Sequence, residues 1–149
     1  MDEKTKTQTT ELLEAVRKNA QMGTTTLEIL AERLAANERA MAEVITKQLN
    51  EYRLIADAAG NKARELGVEP ENACALARTA ASAMTSLQTL ADKSPSHIAE
   101  MVIVGSTRGM ISSLRALRTH PEADSDAVGL ASRLLLAEAN NIEELKRYL

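Results

Sequence analysis

From Thr10 onward, apolar side chains return at helical spacing. Leu12, Val16, Ala20, Leu27, Leu30 and Leu34 share one stripe with Asn19 and Gly23, which predicts a first helix running to about Ala35. Gly23 and the run Thr24-Thr25-Thr26 are poor helix formers, so packing has to hold the middle of this helix together. Asn37 is a favourable N-cap after a very short connection, which predicts that a second helix turns back antiparallel. That helix carries Met41, Val44/Ile45, Gln48, Tyr52, Ile55, Ala59, Ala63 and Leu66, and it stops at Gly67 with Pro70 beyond. A third segment, Glu71 to about Ala91, has a weaker stripe rich in Ala, Ser and Thr. Ser94-Pro95 then opens a fourth helix to Thr119, and Asp124 opens a fifth to Leu149. Residues 1–8 are polar and aperiodic and are expected to fray, leaving 9–149 as one helical domain.

Five helical segments fit a four-helix bundle if the third is the connector. The second helix ends at the pole opposite to its start, and a segment of about 30 Å if fully helical carries the chain back along the outside. The predicted class is therefore all-α, a ferritin-like four-helix bundle with a long, partly helical crossover between the second and third bundle helices.

Several polar residues fall into the predicted core stripes near mid-helix: Asn19, Gln48, Glu51, Arg108, Glu138 and Asn141. Buried polar groups cost on the order of 1–3 kcal/mol each unless paired, so such a layer needs a reason. In a metal reading, Glu138 and Glu51 are residual ligands of a carboxylate site. Di-metal bundles, however, use Glu-x-x-His pairs, and position 141 holds Asn where that pair would need His. In a structural reading, Arg108 pairs with Glu138 and the amides complete a layer that fixes helix register. A wheel phase wrong by one residue would instead turn some of these side chains outward.

Composition narrows the function classes. The 149 residues include no Phe and no Trp, and Tyr52 and Tyr148 are the only aromatic side chains. The net charge of −3 is spread without a basic stripe, which argues against nucleic acid as a partner. Cys74 stands alone, and neither a secretory leader nor a membrane-length apolar run is found, so a cytoplasmic location is expected. His97-x-x-Glu100 is a weak metal candidate at a helix start, beside Glu51 and Glu138. Gly105-Ser106-Thr107-Arg108-Gly109 lacks the Lys and the preceding strand of a phosphate loop, and its glycines suit close helix contact. Met22, Met101 and Met110 read as core filler.

The segments Lys18–Gly23, Arg64–Pro70, Ser96–Met101, Arg108–Met110 and Asn141–Leu149 carry a resemblance over nearly the whole chain. The chain resembles ferritin-like bacterial proteins grouped as a domain of unknown function, in particular a branch of small four-helix-bundle proteins from anaerobic Gram-positive bacteria. The resemblance implies the fold. It also implies acidic residues at the places of Gln21, Met22 and Met110 and a histidine close to Asn140 or Asn141. This chain departs at each of these points, so the resemblance transfers no activity. The resulting expectation is a non-catalytic module, without cofactor, that binds itself or a protein partner. The alternatives are a degenerate or unconventional iron or manganese protein and a small-molecule pocket in the bundle core where small residues replace rings.

Overall fold

The computed structural model describes residues 1–71, 87 and 90–149. Four long helices make up the bundle: α1 (Glu3–Arg33), α2 (Arg39–Glu65), α3 (Pro95–Thr119) and α4 (Ser125–Leu145), with a final 3-10 turn over Lys146–Tyr148. The sequence-predicted third helical segment and Cys74 lie largely or wholly outside the described residues.

The first eight residues correct the expectation of a fraying arm. Asp2 caps α1 by accepting a hydrogen bond from Thr5 N at 2.8 Å, and Glu3 adds negative charge to the first turn. The same stretch is tied to the distant loop before α4, through Lys4 with Glu122 at 2.5 Å and through Gln8, whose side-chain oxygen accepts from Glu122 N at 2.7 Å. Tertiary contacts therefore settle a segment that has no apolar stripe of its own.

Asn37 is not the cap of α2. A hydrogen bond from Glu38 N to Ala35 O closes a turn that leaves Glu38 O as the first helical acceptor, one residue later, and Glu38 makes no side-chain cap. At the other end of α2, Gly67 has φ +78, a left-handed conformation that favours glycine. Gly67 N donates to Arg64 O at 2.9 Å and Val68 N to Ala63 O at 3.0 Å, the paired bonds of a Schellman stop. Ser94 accepts from His97 N and Asp124 from Ala127 N, so both remaining helices begin where their capping residues predict.

α1 packs most closely on α2 and α3 on α4, with further contacts between the two hairpins. Thr9, near the start of α1, accepts a hydrogen bond from Asp124 N at 2.8 Å, and Lys62, near the end of α2, reaches Asp126 at 2.8 Å. Glu11 likewise meets His120, just beyond α3, at 3.1 Å. The end of α2 and the end of α3 thus share a pole, and α3 must start at the opposite one. That placement is what a single long crossover requires, as opposed to an up-down bundle.

The core holds aliphatic side chains such as Leu12, Leu30, Met41, Ile45, Ile98 and Leu134, with Ala20, Ala99, Ala127 and Ala131 where helices approach closely. Thr9 is completely buried among them. Replacing it with Val keeps the shape but strands the Asp124 amide, so Thr9→Val should lower unfolding stability by about 1–3 kcal/mol, measured by urea denaturation. A loss below a few tenths would show that water replaces the hydroxyl.

Candidate functional site

At mid-height the described residues of the bundle bury one carboxylate. Glu138 of α4 is 1% exposed. Its Oε2 accepts a hydrogen bond from the Tyr52 hydroxyl of α2 at 3.1 Å, and its Oε1 lies 3.4 Å from Asn19 Nδ2 of α1. The Asn19 amide also donates to Gly109 O and Ser113 Oγ of α3, both at 2.9 Å, so all four helices meet in this network. Ser106 and Asn141 act on the Tyr52 hydroxyl from α3 and α4.

Two glycines make the space. A Cβ at Gly23 would fall 2.5 Å from the Tyr52 ring, and one at Gly109 would overlap the Glu138 carboxyl. Glycine costs about 1 kcal/mol in a helix interior relative to Ala. Here the missing side chains admit the only internal aromatic ring and the buried acid. Gly105, by contrast, faces open space.

Burial dominates the electrostatics. It pushes the Glu138 carboxyl up to about 7 from an ordinary 4.5, against the pull of the Tyr52 and Asn19 hydrogen bonds. Burial, followed by the adjacent Glu138 charge, also pushes the Tyr52 hydroxyl well above its usual range, so the phenol is the hydrogen donor of the pair. Among the described residues, no cationic side chain makes an ion pair with Glu138.

The sequence-predicted layer divides. Asn19, Gln48, Glu138 and Asn141 lie in or beside the core, with Gln48 Nε2 3.5 Å from Asn141 O. Arg108 is exposed and does not pair with Glu138, because α3 is turned so that Gly109, its neighbour, faces the carboxyl. Glu51 is also outside the network: it projects beside α4 and forms a bidentate pair with Arg133 at 2.7 and 3.1 Å. His97 contacts Glu100 at 3.5 Å near the start of α3, apart from Glu138's hydrogen-bonding partners. Met22 is exposed and Met110 half-buried away from the core, while Met101 is partly buried and packs against the core. Ser106 and Ser113 are members of the network outside the expected stripes, and Tyr52, expected on the stripe of the second helix, was not expected in the polar layer. The signal for Tyr52 was its hydroxyl, since a buried Tyr normally needs a partner for it.

A cavity of about 660 Å³ opens between α1 and α3 and reaches Glu138, Tyr52 and Ser106 at its base. A second groove lies between α2 and α4, lined by Gln48, whose buried Oε1 has no hydrogen-bond partner among the described residues, and flanked by the exposed Leu54 and Leu136.

Metal-carrying bundles of this architecture bring about four carboxylates and two imidazoles together at mid-height. The groups that meet Glu138 are a phenol and a primary amide, both hydrogen-bond donors, and the described residues contain no group of three or more His, Cys, Asp or Glu able to hold a metal ion. The residues present do not fit a di-metal centre.

No protein-family model and no curated protein matches the chain. Among solved structures it is similar to the bacterioferritin-related protein of Bacteroides fragilis, described as a dodecameric thioferritin, with a TM-score of 0.73 and 11% identity over 96% of this chain and 84% of that one. At that identity the likeness speaks to fold alone, and with the long-crossover topology it makes this chain a ferritin-like four-helix bundle.

Proposed function

We propose that this chain is a non-catalytic, self-associating module on a ferritin-like bundle, in which a hydrogen-bonded acid replaces the di-metal centre. The observation that carries the reading is the surroundings of Glu138: Tyr52 and Asn19 direct donors at the carboxyl, and Gly109 occupies the facing wall where a further ligand would have to stand. Self-association is supported by Val104, Ile111 and Leu114, large apolar residues left 43–46% exposed along α3, and by Leu54 and Leu136 across the α2–α4 groove. The structural neighbour's dodecameric assembly points the same way. Membership of the small ferritin-like bacterial family and residence in the cytoplasm belong to the same proposal; among the described residues, no helix is long and apolar enough to cross a membrane.

A second reading, an unconventional metal protein, draws on the likeness to a thioferritin and would have to use His97 and Glu100 with ligands beyond those that meet Glu138. Light scattering and elemental analysis of protein purified without chelator test both. The proposal expects a mass several times that of one chain and no stoichiometric iron, manganese or zinc. A strict monomer overturns self-association, and stoichiometric metal overturns the replacement of the centre.

A further inference from the structure

We propose that the cavity between α1 and α3 is a binding site for a small organic cation, an apolar molecule bearing one ammonium group, with the Glu138 carboxylate as its counter-ion. The volume, about 660 Å³, is that of a small-molecule site, and its character is the usual one of mostly apolar walls with a few convergent polar groups. Leu27, Met101 and Val102 supply the walls, and Gly105 leaves the α3 side open. Glu138, Tyr52 and Ser106 stand at the base.

The chemistry of the base selects the charge. Buried carboxylates are ordinarily paired with a cation, because desolvating a lone negative charge is expensive. Glu138 has two hydrogen-bond donors and, among the described residues, no cationic partner, while one side of its environment is a cavity. An ammonium entering there gains a counter-ion in a low-dielectric site and completes the carboxylate's coordination. An alcohol of the same shape gains only a neutral hydrogen bond, and a carboxylate is repelled.

Among the described residues, the charged and titratable groups lining this space besides Glu138 are Tyr52 from α2, Lys18 from α1, and His97, Glu100 and Arg108 from α3. Lys18 is paired with Glu71 at 2.7 Å, and Glu100 and Arg108 carry opposite charges, so the described residues of the rim present little net charge against an entering cation.

Binding is linked to a proton. With the Glu138 carboxyl pushed up to about 7, half the molecules hold that proton at pH 7, and an ammonium that pairs with the carboxylate expels it. The test is titration calorimetry of the full chain with n-hexylammonium chloride, with 1-hexanol and hexanoate as matched comparators, in two buffers of different ionisation enthalpy.

The ammonium should bind saturably at pH 8, at least about tenfold more tightly than the alcohol. It should also bind about tenfold more weakly at pH 6, where the competent carboxylate is about a tenth of the population. At pH 7 it should release about half a proton per molecule bound. Glu138→Gln should abolish the preference for ammonium over alcohol, and Gly105→Leu, which sets a bulky side chain on the α3 wall of the cavity, should weaken binding at least about tenfold. Absence of saturable ammonium binding at pH 8, equal binding of the alcohol, proton uptake in place of release, or unchanged binding in either variant overturns the proposal.

Discussion

Gly109→Ala should destabilise the bundle by about 2–4 kcal/mol, although the same change at an ordinary helix position stabilises by up to about 1 kcal/mol. The added methyl group overlaps the Glu138 carboxyl, which Tyr52 and Asn19 hold in place from α2 and α1. Either the carboxyl leaves the network and strands two buried donors, or α3 and α4 move apart at mid-height. Both routes carry overpacking or lost hydrogen bonds, each on the order of 1–3 kcal/mol.

Gly105→Ala is the matched control four residues away on the same helix. Its Cβ meets nothing within 4 Å, so it should be neutral or stabilising by about 0.5–1 kcal/mol. The double variant Gly109→Ala/Glu138→Ala removes the collision, and the two substitutions should couple by about 1–3 kcal/mol in the compensating direction. Urea unfolding of the wild type, the two glycine variants, Glu138→Ala and the double variant measures this directly. Equal effects at Gly105 and Gly109, or strict additivity in the cycle, would show that the methyl group is accommodated and that the glycine is not there for the acid.

The contrast between these glycines also shows what the sequence disclosed. Three helix ends were readable because each is decided within a few residues: Ser94 before Pro95, Asp124 before the last helix and Gly67 after the second all act through local backbone hydrogen bonds. The acid at position 138 was readable too, since it interrupts an otherwise apolar stripe on α4. The face of α3 was not. After Ile98, Ala99 and Val102, its buried side carries Ser106, Gly109 and Ser113, while Val104, Ile111 and Leu114 point outward, which over this stretch reverses the usual relation between apolarity and burial. A reading by hydropathy therefore put Arg108 where Gly109 stands. The cause is volume: a helix facing a buried Glu and Asn needs small residues there, and no periodicity announces that demand. Glu51, next to Tyr52 in the chain, suffers the same one-residue ambiguity, and Arg133 on the neighbouring helix draws it to the surface. The start of α1 failed for a different reason, because its stabilising partners Glu122 and Asp124 lie more than a hundred residues away.

Stability should fall as pH rises from about 4.5 to about 7, and Glu138→Gln should remove that slope. Because burial raises the acid's folded value, the native protein keeps a proton that the unfolded chain releases across this window. The group's contribution is fully present below 4.5 and is lost as pH climbs through about 7, a difference of about 3 kcal/mol. The lowered values of Asp2 and Asp92, both held down by backbone hydrogen bonds from Thr5 and Ser94, act in the opposite sense and only at the acid end, below the usual carboxylate value of 3.8.

Glutamine has nearly the shape of the protonated acid and keeps both contacts. Its oxygen can accept from Asn19, and its amide can donate to the Tyr52 hydroxyl, which then turns its own hydrogen toward a neighbour such as Ser106 or Asn141. At pH 8, where the wild-type protein must bury a charge, Glu138→Gln should therefore be the more stable by about 2–3 kcal/mol, and at pH 5 the two should lie within about 1 kcal/mol. Denaturant unfolding from pH 4.5 to 8.5, with the difference between the two proteins plotted against pH, isolates this one group from every other titration. A difference that does not change with pH would mean that the carboxyl is charged throughout, held by a cation that Glu138's present partners do not provide, and would locate the stability of this layer in a fixed ion pair.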